Sequence, residues 1–394
     1  MTEPQLVQLA SGDTLFREGE PGETAFLIES GLIDVLRTVN GEVLRLATLG
    51  QGELLGEMSL IDRLPRTATA VAAAETRLRA ITRTHYDQHY REANPLIRLV
   101  LRALLQRHRS SVGHSPRGET PSETMQMDRN ELLARLRMEQ DLRGALERRE
   151  LVLHFQPIVR VADRRTAGFE ALIRWNSPQR GMVPPGDFIP IAEESDLIID
   201  IGRWVLQESC AALARLRSIQ KRASSSDPLF LTLNVSGRQF ESGLLYDDVA
   251  SALAPGLDGG RVKLEITESL LMKDVKAGTE LVHRLKALGA QLAVDDFGTG
   301  YSSLNYLHRL NADCLKVDRS FVKDLETDQS SPRVLQAIKG LATGFGLETV
   351  VEGVETAYQR DKIGLIGFDY IQGFLYSKAV PEEQTSAMID RRWN

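Results

Sequence analysis

The sequence places acidic and amide side chains, again and again, in or just after short apolar runs. In LAVDDFGTG, Leu292, Ala293 and Val294 lead straight into Asp295 and Asp296. Adjacent carboxylates repel each other, and burying them is expensive without a cation against them. Polar residues recur in the same way at Gln156 in VLHFQP, Glu170 in GFEALIRW, Asn234 in LFLTLNVS and Glu265 in VKLEITE. They recur again at Lys316 in CLKVDRS, Glu352 in TVVEGVE and Gln372 in DYIQGF. The candidate ligands Glu170, Asn234, Glu265, Asp295, Asp296 and Glu352 are hard oxygen donors with no His or Cys among them. That set favours Mg²⁺ or Mn²⁺ over Zn²⁺ or Cu²⁺. Five carboxylates exceed what one Mg²⁺ takes from a protein. Two ions bridged by Asp295, about 3.5–4 Å apart, suit the set and would acidify a water between them. Lys316 adds a point charge that could orient that water or a phosphate. Singly, each residue reads as a cap, an ion-pair partner or a surface side chain; the argument rests on their coincidence.

For these residues to meet, the runs must be strands of one closed sheet. Eight of them alternate with helical stretches from residue 150 onward, over a length close to the ~250 residues of a (β/α)8 barrel. In a barrel of parallel strands, all the C-terminal ends open on one face, so the polar residues would form one ring. Upstream, residues 11–82 hold short apolar stretches broken by turn residues, with a hairpin signal at Asn40-Gly41; this predicts a small β-roll or jelly roll. Helical spacing of Ile97, Val100, Leu101, Leu104 and Leu105 follows at about 84–108. The stretch SSVGHSPRGETPSE (110–123) reads as a hinge. A charged helix comes next, with Leu132, Leu136, Leu142 and Leu146 on about a third of its circumference. That stripe suits packing on its own domain or pairing with a second copy. The expected division is 1–112, 113–140 and 141–394.

Bulk properties narrow the function. The chain has 394 residues and a net charge of −6, so no global basic field gathers nucleic acid, and an anionic ligand must be held locally. Two distant cysteines point to a reducing compartment. No run approaches the roughly 20 apolar residues of a membrane span, and the first residues lack a signal-peptide pattern. The expectation is a cytoplasmic protein with no membrane and no DNA partner.

Residues 140–394 resemble the EAL family of cyclic di-GMP phosphodiesterases. The motifs in order are FQPIV, FEALIRW with Glu170-Ala171-Leu172, FIPIAEES, NVS, EITES, DDFGTGYSSL, LKVDRSFV, VVEGVE and IQGF. The resemblance implies hydrolysis of cyclic di-GMP to linear pGpG. Glu170, Asn234, Glu265, Asp295, Asp296 and Glu352 would hold two Mg²⁺ or Mn²⁺ ions, and Lys316 would position the attacking water. Substrate contacts would come from Gln156, Leu172, Arg174, Asn234, Asp318, Glu355 and Gln372. Glu268 would fasten the DFGTG loop. The family usually pairs as a homodimer. Some members have lost ligands and act only as receptors, an alternative in which this chain binds cyclic di-GMP and cyclic AMP without catalysis; no ligand position is lost here.

The first 110 residues resemble a cyclic nucleotide-binding domain, through GELLGEMSLIDRLPRTATA (52–70). The resemblance implies a pocket of Leu55, Gly56, Glu57, Met58, Ser59, Arg66, Thr67 and Ala68. Glu57 would accept the ribose 2′-hydroxyl, Arg66 would pair with the cyclic phosphate, and Thr67 would touch phosphate or base. The implied effector is cyclic AMP, with cyclic GMP left open by Thr67. No DNA-reading helix-turn-helix follows, so the output would be control of the barrel.

Overall fold

The computed structural model describes residues 6–39, 41–92, 94–111, 123–222, 228–253, 259–298, 309–326, 331–389 and 391–393. Most of the expected hinge, and the part of the DFGTGYSSL segment beyond Gly298, lie outside them. The chain forms two compact units, Met1–Arg137 and Met138–Asn394.

The first unit contains β1 (Leu6–Leu9), β2 (Thr14–Phe16), β3 (Thr24–Ser30), β4 (Ile33–Val39), β5 (Glu42–Leu49), β6 (Leu54–Leu55), α1 (Glu57–Asp62), β7 (Thr69–Ala72) and β8 (Thr76–Thr82). They make two antiparallel four-stranded sheets, ordered β1-β8-β3-β6 and β2-β7-β4-β5. Buried and exposed positions alternate along β8, TRLRAIT, as a strand with one face on a core requires. Ile28, Ile33, Leu55, Ala70, Ala72 and Leu78 form that core. β4 and β5, on either side of the Asn40-Gly41 signal, pair antiparallel with Val39 facing Glu42, while Asn40 itself lies outside the described residues. The helical sequence near 84–108 forms two helices, α2 (Arg83–Glu92) and α3 (Pro95–Ser111). Proline lacks the N–H that would extend a ladder and instead opens a new helix.

The long helix α4 (Glu123–Glu147) follows. Its leucine stripe divides: Leu142, with Ala145, is fully buried in the core of the second unit, whereas Leu136 is 52% exposed.

The second unit is a closed barrel. Its elements are β9 (Leu151–Arg160), β10 (Thr166–Ser177), β11 (Gly181–Val183), α5 (Pro185–Glu193), α6 (Leu197–Arg222), β12 (Phe230–Asn234), α7 (Gly237–Glu241), α8 (Leu245–Ala252), β13 (Val262–Thr267), α9 (Glu268–Lys273), α10 (Val275–Ala287) and β14 (Gln291–Phe297). Then come β15 (Cys314–Val317), α11 (Ser320–Lys323), α12 (Ser331–Phe345), β16 (Glu348–Val351), α13 (Ala357–Ile366), β17 (Tyr370–Ile371), β18 (Val380–Pro381) and α14 (Glu382–Thr385). The barrel runs β10-β12-β13-β14-β15-β16-β17-β9 and closes through β9 on β10. All pairings from β10 to β17 are parallel. The first strand departs from the all-parallel expectation: β9 is antiparallel to both neighbours. Only Val161–Arg165 separates β9 from β10, far less than the dozen or more residues of a parallel crossover. Consequently Gln156 reaches the ring from mid-strand, opposite Glu170, and not from a strand end. Among the described residues, no helix is long and apolar enough to cross a membrane.

Candidate functional site

The mouth of the barrel is built from strand ends. β10 carries Glu170, Leu172 and Arg174, β12 ends at Asn234, β13 carries Glu265, and β14 carries Asp295 and Asp296. β15 carries Lys316, while Glu352 and Gln372 directly follow β16 and β17. Apolar neighbours such as Leu264, Ile266, Val294, Leu315, Val317 and Val351 are buried and hold each strand in place.

The opening pair of aspartates is answered by Lys316. Its Nζ lies 2.6 Å from Glu352, 2.8 Å from Glu265, 3.5 Å from Asp295 and 3.8 Å from Glu170. Burial alone would push this ammonium down; the Glu170, Glu265, Glu352 and Asp295 carboxylates outweigh it and hold it well above the usual lysine value. Glu265 is pushed well above the carboxylate range by burial, against the pull of Lys316. Burial also lifts Glu352, to about 7. Glu170 goes the other way: burial raises it, but Lys316 and hydrogen bonds from Gln372 and Asn234 bring it below the usual range.

Amides fix Glu170. Asn234 Nδ2 donates to Glu170 Oε1 at 2.9 Å. Gln372 Nε2 donates to Glu170 Oε2 and, at 3.1 Å, to Gln156 Oε1. Gln156 Nε2 donates to the Ser377 carbonyl at 3.1 Å. The structure therefore brings together Gln156, Glu170, Asn234, Glu265, Asp295, Lys316, Glu352 and Gln372. The other expected residues stand around them. Asp296 sits in the left-handed region at φ 53 and is raised by burial, then by Asp295 and Asp318. Asp318 accepts from the Ser320 N–H at 3.0 Å. Glu355 is exposed, with its backbone N–H donating to Gln359 at 2.8 Å. Arg174 is half-buried and donates to its neighbour's carbonyl, Ile173, at 2.8 Å. Leu172 and Asn234 line a cleft of about 530 Å³ with Pro185, Ile189 and Ser236, within the size range of small-molecule sites. Glu268, at the start of α9, accepts from the Gly298 N–H at 3.1 Å. At Gly298 (φ 93) a Cβ would stand 2.8 Å from Phe321 Cζ, so only glycine serves there.

The donor set fits divalent cations. Glu265 Oε1 is buried with no hydrogen-bond donor, while Glu265 Oε2 and Asp295 Oδ1 are met by the Lys316 ammonium at 2.8 and 3.5 Å without a hydrogen bond; a divalent cation would take up these oxygens. Among the described residues, no three His, Cys, Asp or Glu groups already stand at metal-holding spacing.

In the first unit, Leu55, Gly56, Glu57, Met58, Ser59, Arg66, Thr67 and Ala68 line one pocket of about 110 Å³. Gly56, in the left-handed region at φ 75, caps α1. Arg66 is buried, donating to the Gly56 carbonyl at 2.7 Å and the Thr24 carbonyl at 2.6 Å. Its Nε is buried with no acceptor, and burial lowers its pKa; an anion would satisfy both. Thr67 Oγ1 is 3.9 Å from Met58 Sδ. The sequence reading missed Phe16, Val35, Leu49 and Leu54, which complete the lining. Phe16 lies under the guanidinium, 4.1 Å from ring centroid to Cζ. It also missed Gly22, where a Cβ would stand 2.5 Å from Arg66 Cζ. The signal available was the Pro21-Gly22 dipeptide; the close approach is visible only in three dimensions.

Both units match known families. Residues 6–92 match the Cyclic nucleotide-binding domain family and residues 139–379 match the EAL domain family. The solved cGMP-bound form of the EAL enzyme Bd1971 is 32% identical, with a TM-score of 0.64, over 98% of this chain and 100% of that one. The form of Bd1971 with cAMP and cyclic di-GMP gives 31% and 0.66 over the same shares. The cyclic di-GMP complex of the PaMucR phosphodiesterase is 40% identical with a TM-score of 0.58, over 63% of this chain and 99% of that one. The bifunctional diguanylate cyclase/cyclic di-GMP phosphodiesterase MucR of Pseudomonas aeruginosa is 42% identical over 255 residues, 64% of this chain and 36% of MucR. The chain thus spans about a third of the length of the curated relatives it matches. The EAL match, 139–379 of 394 residues, covers more than half of the chain, which therefore belongs to the EAL domain family, with a cyclic nucleotide-binding domain at its N-terminal end.

Proposed function

We propose that this chain hydrolyses cyclic di-GMP to linear pGpG, and that a cyclic mononucleotide in the N-terminal pocket controls that hydrolysis. Cyclic AMP is the first candidate effector and cyclic GMP the second. The observation that carries the reading is the meeting of Glu170, Asn234, Glu265, Asp295 and Glu352 around Lys316 at one barrel mouth. Relatives named for cyclic di-GMP hydrolysis, and a neighbour solved with cyclic AMP, cyclic GMP and cyclic di-GMP, support the substrate and effector classes. In this reading residues 1–112 sense, 113–140 form hinge and signalling helix, 141–394 catalyse, and two copies pair.

Two Mg²⁺ or Mn²⁺ ions held by Glu170, Asn234, Glu265, Asp295, Asp296 and Glu352 would supply Lewis acidity and lower the pKa of a water. The side chains do the rest. Arg174 clamps a phosphate with its planar fork. Lys316 keeps its proton at Nζ and orients the attacking water. That water adds hydroxyl to phosphorus as the bond to the 3′-oxygen breaks, and the proton the water loses ends on the 3′-oxygen, which leaves as a hydroxyl. Gln156, Gln372 and Asn234 keep Glu170 aimed, and Glu268 holds the loop through Gly298. Leu172, Asp318 and Glu355 complete the substrate contacts.

The test is pGpG release by the full chain with Mn²⁺, titrated with cyclic AMP and cyclic GMP. Intact cyclic di-GMP under all conditions would end the enzymatic reading in favour of a receptor. Unchanged rates and Michaelis constants despite measured effector binding would end the regulatory one.

A further inference from the structure

The C-terminal end of α4 is fastened to the strand that carries Glu170 and Arg174. Leu142 and Ala145 are fully buried in the barrel core, with Met138 and Leu146 packed beside them. The helix then stops abruptly. Arg149 takes φ 58, and the Arg149 and Glu150 N–H groups donate back to the Leu146 and Ala145 carbonyls, the pattern that closes a helix through a left-handed residue. Glu150 is held there on three sides. Its carboxylate accepts from Arg148 Nε and from Trp175 Nε1, the latter at 3.0 Å, and its carbonyl accepts from the Asn176 N–H at 2.8 Å. The hydrogen bonds from Arg148 and Trp175 keep this carboxyl below the usual range, so it stays anionic. Arg180 pairs with Asp141 at 2.8 Å, tying the helix to the same hairpin.

Trp175 follows Arg174 directly on β10. Neighbouring strand residues point to opposite faces, so the two side chains are opposite arms of one rigid backbone unit. Trp175 is fully buried, edge-on to Phe188 of α5 at 5.9 Å and 81°. We propose that Glu150 is a positioning residue: through Trp175 it sets where β10 presents Arg174 to the substrate phosphate, and a displacement of α4 is read as a change in substrate affinity. The proposal rests on the phosphodiesterase reading above.

Steady-state turnover of the full chain with saturating Mn²⁺ tests it. Trp175→Phe keeps the ring and deletes the N–H; KM for cyclic di-GMP should rise roughly three- to tenfold with kcat within about twofold. Glu150→Gln keeps an acceptor and should keep the wild-type KM. Glu150→Ala should match Trp175→Phe, and the double variant should add nothing. In an Arg174→Ala background, Trp175→Phe should leave KM unchanged, which general loosening would not do. A wild-type KM for Trp175→Phe, or an equal rise when Arg174 is absent, overturns the proposal. If Trp175→Phe melts before assay, the contrast between Glu150→Ala and Glu150→Gln decides. Absence of wild-type turnover would strike the phosphodiesterase reading alone, and the same variants would then be compared in cyclic di-GMP affinity by calorimetry. Saturating cyclic AMP should shift KM in the wild type and Glu150→Gln but not in Glu150→Ala; the same shift in all three, or none in the wild type, overturns the coupling.

Discussion

Lys316→Met should turn the barrel into a protein that depends on divalent cations for its stability. The lysine is 1% exposed and lies within 3.8 Å of the carboxylates of Glu170, Glu265, Asp295 and Glu352. Removing one partner of a buried charge cluster costs about 3–5 kcal/mol. The Glu352 side chain is 24% exposed and Glu265 already favours its proton, so the lower end, about 3 kcal/mol, applies near pH 8. That is a fall in Tm of about 6–12 °C for a unit of this size. The sign of the pH dependence follows from the carboxyls. Without the ammonium, the folded-state pKa values of Glu265 and Glu352 stand further above the unfolded ~4.3. Groups raised in this way contribute stability below the unfolded value and lose it as pH rises through the folded one. Because Glu352 already titrates near 7 with the lysine present, the deficit should widen from pH 5 to pH 8. Mn²⁺ at about a hundred times its Kd should restore about 2.7 kcal/mol. Its stabilisation should be larger in the variant than in the wild type, where the ion competes with the lysine. The assay is thermal unfolding in chelator and in Mn²⁺ at several pH values. Equal stability of variant and wild type in chelator at pH 8 would refute the reasoning.

Three other expectations rest on the same geometry. Glu170→Ala should abolish pGpG release while leaving cyclic AMP binding intact, as measured by turnover and calorimetry on one preparation. Arg66→Ala should weaken cyclic AMP binding about 10- to 100-fold, and Arg66→Lys should not restore it, because the two carbonyl partners require a fork; a Kd within twofold of wild type would contradict the pocket assignment. Cys210 and Cys314 are buried, with thiols pushed by burial to about 11 and about 12. A thiol reagent at pH 8 should therefore label neither in the folded protein and both after unfolding.

Much of this was legible because strand-end chemistry survives in one dimension. Glu170, Asn234, Glu265, Asp295 and Glu352 each terminate or interrupt an apolar run, and so many convergent oxygens have few other uses. The direction of β9 was also written in the sequence, since the link VADRR is too short for a crossover, but apolar patterning alone does not carry direction. What could not be read were distances. Nothing in CLKVDRS says that Lys316 lies amid four carboxylates, and nothing in RLPRTATA says that Arg66 presses against Gly22. Leu136 and Leu142 look alike in the α4 stripe, yet only the second is buried, because burial depends on what lies opposite.

The reversed first strand has an architectural consequence. In an all-parallel barrel the N-terminal strand starts at the floor, opposite the chemistry. Here Leu151 pairs with Trp175, near the outer end of β10, so the polypeptide enters the barrel at the rim of its mouth. A pull on the chain at residue 150 therefore acts on the rim of the barrel, through the register of β9 on β10, and not on its floor.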